Sequence, residues 1–301
     1  MPGISLNNPI HTLEGKVLFP AGSLVNEESI ISVLGHGRDR VFETASLLDR
    51  GPFEADMLSF LTPEPYSQIF SSPQRLQTVL DELEKISLPL PLMEALLYFK
   101  QNDFYTYRHF LQVFALSTLV ARDLVGEDRD FSYLAATGPT HDIGKICVPL
   151  PILQKQTPLT LEEKKVLNEH TIAGYVLMRY YTGQGDSLAS KVALQHHERR
   201  DGSGTPRGIE LKDLMVEVIA VCDIYDALIS PRPYRESSYD NRTALEELCR
   251  MAEDGKVGWD AVKVIIAYNR KAQPHYSEVY ISGEKRGIPP SGNHYGVFAD
   301  R

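Results

Sequence analysis

The chain has 301 residues, 43% hydrophobic and 24% charged, with a formal net charge of −9. That length exceeds the usual single domain and predicts one main domain with a smaller companion, and the composition excludes a disordered or fibrous chain. The acidic balance argues against a protein that holds DNA by broad phosphate neutralisation.

Read in chain order, the N-terminal stretch MPGISLNNPIHTLEGK lacks a basic segment followed by an apolar one, so no secretory signal is read and a cytoplasmic protein is expected. Residues 10–45 predict strand, turn, short helix and strand: Gly15 to Gly22, a helical pattern from Glu27 to Leu34, then Val41 and Phe42 after Gly35 to Gly37. Prolines at 63, 65, 73, 89 and 91 mark linkers or helix boundaries around a helical segment from Leu76 to Ile86. From Leu92 to about Asn269 the period is helical, and Phe110, Val113, Phe114, Leu116, Leu119 and Val120 recur at three- and four-residue steps. The stretch from Phe110 to Ala121 is too short and too polar to span a bilayer and predicts a buried core helix, so no membrane partner is expected.

Thr160 and Glu163 form a capping box that predicts a helix running to about Tyr181, Asp186 is expected to cap the next, and Leu211 to Ile229 reads as another. The expected fold is mainly α, a helical bundle at residues 92–270 preceded by a small α+β module at 1–91 and followed by an irregular tail at 271–301. The first 91 residues show no phosphoacceptor pocket and no phosphate loop, so a packing or dimerising role, with a homodimer as its form, is the expectation. Cys147, Cys222 and Cys249 are odd in number and lack a CxxC pair, which predicts reduced core thiols rather than a disulfide or thiolate zinc site. His11, His36, His275 and His294 fall outside every motif and are expected at the surface.

Four of the nine histidines lie between His141 and His197, each beside residues that a metal site uses. His141 and Asp142 open HDIGK, His170 sits in NEHTIAG, His196 and His197 open HHERRDGSGTPRG, and Asp223 and Asp226 sit in VCDIYDAL. Imidazole and carboxylate donors without thiolate suit iron, manganese or zinc, and Asp142 can bridge two ions through its two oxygens. Burying such a set without a cation would leave several polar groups unpaired.

The ordered motifs HDIGK, HxxxG, HHExxDGSGxP and DxxDALxSxRPYR resemble the HD-GYP branch of the HD superfamily over roughly residues 95–270. The leading GKVLFPAGS also resembles a small module found before such domains. The resemblance implies a helical fold, a metal centre and hydrolysis of cyclic di-GMP by a bridging hydroxide at a binuclear site. Carried over motif by motif, it implies one metal held by His109, His141, Asp142 and Asp223, and a second by Asp142, His170, His196 and His197. Iron is the expected metal, with manganese or zinc as alternatives. His109 enters by position, on the helix before HDIGK; alone, it would read equally well as a hydrogen-bonded core histidine.

Lys145, three residues after Asp142, is within one helical turn and is assigned charge stabilisation or proton donation. Asp226, one turn after Asp223, is expected to accept a hydrogen bond from a ligand imidazole. Arg232 and Arg235, with Arg199, Arg200 and Arg207 around the glycine loop, are candidates for binding substrate phosphates, although the loop arginines read nearly as well as a solvated surface. Gly202 and Gly204 give that loop freedom of close approach, and Tyr234 is placed to stack on a guanine.

The family's Gly-Tyr-Pro triplet is here Gly204, Thr205 and Pro206. That change alters the loop surface and leaves two other readings open: a metal-containing nucleotide receptor that contacts a signalling protein through residues 202–206, and a phosphohydrolase for another nucleotide. Tyr105 stands four residues before His109, where three-metal members carry a glutamate, which favours two metals. Gly138, Pro139 and Thr140 replace the aliphatic helix usual before HDIGK, and Pro139 is expected to kink or end it.

Overall fold

The computed structural model describes residues 3–35, 42–126, 137–231 and 237–290. It is mainly helical, as the periodicity predicts, with short antiparallel strand pairs confined to the first ninety residues. Strand β1 (Ile4–Ser5) pairs with β4 (Leu24–Val25), and β2 (Ile10–His11) pairs with β3 (Val17–Phe19). Helix α1 (Glu27–Leu34) follows, opened by a capping box in which Asn26 and Ser29 satisfy each other's backbone N–H groups.

The strand expected at Val41 and Phe42 is displaced. Val41 lies outside the described residues, and the strand observed is β5 (Thr44–Ser46), which pairs with β6 (Ser87–Pro89). Between these strands the chain forms α2 (Leu47–Arg50), α3 (Phe53–Leu61) and α4 (Pro73–Lys85). Pro73 and Pro91 stand in the first turns of α4 and of α5 (Leu90–Asn102), where a missing N–H costs nothing.

Helix α6 (Phe104–Val125) runs through the core and is buried without interruption from His109 to Ala121. A helix apolar on nearly every face has to be enclosed, and α3, α4 and α5 pack against it. Burial of an aromatic ring such as Phe110 or Phe114 stabilises the fold by roughly 2–3 kcal/mol each. Beyond α7 (Leu150–Leu153), the chain folds into α8 (Leu161–Asn168), α9 (His170–Thr182) and α10 (Leu188–Gln195). Then follow α11 (Leu214–Ile229), α12 (Asn241–Glu253) and α13 (Trp259–Tyr268), of which α11 and α13 also lie on α6.

Three helix boundaries differ from the sequence reading. The Thr160 capping box is present, but the helix it opens stops at Asn168 and a separate one begins at His170. At the break, the Glu169 carboxylate accepts hydrogen bonds from Asn7 N at 2.7 Å, Asn7 Nδ2 at 2.6 Å and Asn8 N at 3.0 Å. A contact across 162 residues is invisible to local periodicity. Ser187 rather than Asp186 caps α10, because Asp186 accepts instead from the Tyr175 hydroxyl at 2.9 Å. Helix α11 starts at Leu214 rather than Leu211, where Asp213 accepts from Met215 N.

The N-terminal strands pack directly on the bundle. His11 N donates to Cys147 Sγ and Cys147 Sγ to His11 O, and Arg179 pairs with Glu27 at 2.6 Å. His11 is therefore half-buried rather than a surface residue, whereas His275 is exposed as expected; His36 and His294 lie outside the described residues. All three cysteines are buried free thiols. The described part of the C-terminal stretch is irregular apart from a short turn at Tyr276–Glu278, and Val279 anchors it in the core. Among the described residues no helix is long and apolar enough to cross a membrane.

Candidate metal centre

Five elements converge on one buried cluster. Helix α6 supplies His109, the turn after Thr140 supplies His141 and Asp142, the first residue of α9 is His170, the end of α10 carries His196 and His197, and α11 carries Asp223 and Asp226. A short 3-10 turn at Gly138–Thr140 leads into the motif, so Pro139 stands in a tight turn rather than in a helix. The turn that follows, Ile143–Cys147, comes against α9 through two glycines: a Cβ on Gly144 would lie 1.9 Å from His170 O and 2.3 Å from Gly174 N. Only glycine permits that approach, and it sets Asp142 beside His170.

The ring nitrogens are sorted by their partners. His141 Nδ1 donates to Gly138 O at 2.7 Å, His170 Nδ1 to Leu167 O at 2.5 Å and His196 Nδ1 to Val192 O at 2.9 Å. His109 Nδ1 donates to Asp226 Oδ2 at 2.6 Å. A carbonyl only accepts, so in those three histidines Nδ1 carries the proton and the Nε2 lone pair is left for the interior. The Nε2 atoms of His109 and His141 lie 3.3 Å apart, and those of His170 and His196 lie 3.5 Å apart.

Between these imidazoles sits Asp142. Its Oδ1 is 3.0 Å from His170 Nε2 and 3.4 Å from His196 Nε2, and its Oδ2 is 3.5 Å from both His109 Nε2 and His141 Nε2. Lys145 Nζ pairs with Oδ2, whereas the buried Oδ1 accepts no hydrogen bond. Desolvation disfavours this carboxylate, but Lys145 and the surrounding histidines outweigh it and hold the carboxyl well below its usual range. Asp223 Oδ1 lies 3.1 Å from His109 Nε2, and Asp223 Oδ2 lies 3.8 Å from His197 Nδ1.

Desolvation lowers the His109 pKa, but hydrogen bonds to Asp142, Asp223 and Asp226 outweigh it and push the imidazole up to about 10. His197 behaves oppositely: desolvation and then the neighbouring His196 hold it well below the ordinary imidazole range. Its side chain nevertheless keeps 31% of its surface exposed, against 3% or less for the other four histidines, so it faces the solvent side of the cluster.

One potential ligand atom from each of Asp142, His170, His196 and His197 lies within 4.8 Å of the others, and the same holds for His109, His141 and Asp142. Asp142 is common to both groups. Converging imidazole nitrogens, carboxylate oxygens and an orphaned buried oxygen form a donor set that fits divalent metal.

Asp226 supports His109, as its spacing predicts. Tyr105 stacks on the His109 ring with centroids 6.0 Å apart. In the loop after His197, Thr205 N donates to His197 O at 3.1 Å, and a Cβ on Gly204 would lie 2.3 Å from Glu198 Cα. Gly202 has φ +76, the left-handed conformation its freedom allows.

Arg199 Nη1 is bound to the carbonyls of His196 and Glu198, and Arg207 is partly buried. Arg200 is paired: its Nε and Nη2 each lie 2.6 Å from the buried Glu217 carboxylate. Arg232, Tyr234 and Arg235 lie outside the described residues.

The sequence reading passed over two groups. Glu198 is fully buried and accepts from Arg207 N at 2.8 Å and Ile209 N at 3.2 Å, fixing the glycine loop. Tyr66, in the proline-bracketed stretch read as linker or helix boundary, donates its hydroxyl to Asp226 Oδ1. Nothing local signals that contact, because its partner lies 160 residues away.

Residues 91–258 match the HD domain family. The chain belongs to that family. Its HD domain is similar to a cyclic di-GMP phosphodiesterase of Thermotoga maritima, 33% identical over 181 residues, covering 60% of this chain and 48% of that protein. A cyclic di-GMP phosphodiesterase of Pseudomonas aeruginosa is 38% identical over 178 residues, covering 58% of this chain and 42% of that one. A 3'3'-cGAMP-specific phosphodiesterase of Vibrio cholerae is 37% identical over 136 residues, covering 44% and 31%. The chain thus spans half or less of the length of these curated relatives. The HD-GYP relationship read from the four motifs holds.

Proposed function

We propose that this chain is a cytoplasmic metal-dependent phosphodiesterase that opens a cyclic dinucleotide, with cyclic di-GMP as the first candidate. The observation that carries the reading is Asp142: a buried carboxylate shared by two groups of imidazoles, with one oxygen accepting no hydrogen bond. The names of the similar proteins support a cyclic dinucleotide as the substrate class.

In this reading His109, His141, Asp142 and Asp223 hold one divalent cation, and Asp142, His170, His196 and His197 hold another. Iron is the first candidate, with manganese and zinc compatible with the same donors. Tyr105 packed on His109, where three-metal members carry glutamate, supports two cations rather than three. When bound, such a pair supplies hydroxide near neutral pH and neutralises charge on the phosphodiester.

The chain's own groups do the rest. The carbonyls of Gly138, Leu167 and Val192 hold three imidazoles in one tautomer. Lys145, its side chain 16% exposed beside Asp142, can turn its ammonium towards a non-bridging phosphate oxygen or give a proton to the leaving oxygen. Substrate enters at His197 and lies against the Gly204–Thr205 loop, with Arg199, Arg207, Arg232 and Arg235 contributing positive charge. The first 91 residues serve as a packing module on which the site depends.

The test is metal content after purification without oxygen, followed by incubation with cyclic di-GMP and 3'3'-cGAMP. About two metals per chain, and linear product that disappears in Asp142→Ala, are expected. Thr205 in place of the family tyrosine favours one competing reading, a receptor; tight binding without product at full metal occupancy would establish it.

A further inference from the structure

Tyr66 lies in the segment between α3 and α4, ahead of the residues matched to the HD domain family, yet it is fully buried against the cluster. Its hydroxyl and that of Ser230, at 2.8 Å, both donate to Asp226 Oδ1. The other oxygen, Oδ2, accepts from His109 Nδ1 at 2.6 Å. Asp226 is therefore a carboxylate with no exposed surface, pinned on one oxygen by two neutral donors and on the other by an imidazole whose Nε2 faces Asp142 and Asp223. The segment carrying Tyr66 is itself clamped: Asn241 Nδ2 donates to Pro65 O at 3.4 Å, and Gln68 Nε2 donates to Asn269 O.

We propose that Tyr66 is a positioning residue for the metal centre, which it reaches through Asp226 and His109, so that this N-terminal segment sets how tightly the HD domain holds its cation. The hydroxyl fixes the plane of the carboxylate, the carboxylate fixes the tautomer and angle of the His109 ring, and the ring presents Nε2 to the cation. Partners of this kind behind a ligand imidazole alter metal affinity by about 10- to 100-fold when removed. The inference rests on the metal-centre reading above, and it adds a coupling between segments that the four motifs do not contain.

The test compares wild type, Tyr66→Phe and Tyr268→Phe in the full chain. Tyr268 is a buried tyrosine whose hydroxyl donates to Leu119 O at 3.0 Å instead of to the site or to the residues that clamp the Tyr66 segment. Each protein is stripped of metal and titrated with Co²⁺, reading affinity by chelator competition and ligand geometry from the visible absorption. Tyr66→Phe is expected to bind Co²⁺ about 10-fold more weakly with an altered spectrum, while Tyr268→Phe matches wild type.

Equal affinity and identical spectra in Tyr66→Phe would overturn the proposal while leaving the metal centre standing. A wild type that binds no Co²⁺ would overturn the metal-centre reading and the proposal with it. If Tyr66→Phe does not fold, Ser230→Ala takes its place, removing the other hydroxyl from the same oxygen. A severalfold loss of affinity supports the route through Asp226, and no loss overturns it.

Discussion

Gly144 and Gly174 meet backbone to backbone, so closely that a Cβ on Gly144 would fall within 2.3 Å of the Gly174 nitrogen and 1.9 Å of the His170 carbonyl oxygen. This approach brings the HDIGK turn onto the helix that starts at His170, and hence Asp142 to within 3.0 Å of the His170 ring. Both obstructing atoms are backbone, so Gly144→Ala cannot be relieved by a rotamer change. It should cost about 3 kcal/mol, the upper end for overpacking, and should lower metal content even in the folded fraction. Thermal unfolding together with metal analysis checks both effects.

The metal-free chain should release a proton when it takes up a cation. His109, held up at about 10 by its three carboxylate neighbours, is protonated at neutral pH and must free Nε2 to act as a ligand. Titration with Mn²⁺ in weak buffer at pH 8 should release about one proton per chain from this residue. His109→Gln should abolish that proton.

The same group shapes the stability of the metal-free protein. A histidine whose folded pKa is raised contributes stability that is complete below its unfolded value of about 6.5 and is lost as pH rises through the folded one. Metal-free protein should therefore lose stability between neutral pH and about 10. His197, whose folded pKa is lowered, acts on the other side and costs stability as pH falls below about 6.5. Metal-loaded protein should lose the alkaline slope, because His109 is then an unprotonated ligand, and keep the acid one, because ligand rings cannot take the protons that the unfolded chain takes below about 6.5. Denaturant midpoints across pH with and without metal measure the difference.

The Arg200–Glu217 pair is expected to serve stability rather than metal binding. Glu217 accepts from two nitrogens of Arg200 and from Gly258 N at 2.7 Å, and it is nearly fully buried. With Arg200 half exposed, Glu217→Gln should cost about 1–2 kcal/mol of stability and leave metal content unchanged. Loss of metal in that variant would place the pair in the site after all.

The parts of this protein that were legible in its sequence are those with local chemistry. The helical period around Phe110, the capping box at Thr160 and the metal-type donors in HDIGK and HHE depend on neighbours a few residues away. That Asp142 lies in both groups of donors accords with donor count and the motif resemblance. What was not legible depends on distant partners. The break at Glu169 coincides with a carboxylate held by Asn7 and Asn8, and Tyr66 reads as linker or helix boundary because its partner Asp226 is brought to it only by the fold. Sequence likewise shows the charge of Arg200 and not Glu217 beneath it.

Whether Asp142 joins two cation sites is read out by calorimetric titration of metal-free protein with Mn²⁺, wild type against Asp142→Ala. About two equivalents are expected in wild type, with loss of affinity at both sites together in the variant, because one carboxylate serves both. Loss of a single equivalent, with the other bound at wild-type affinity, would show that Asp142 serves one site alone.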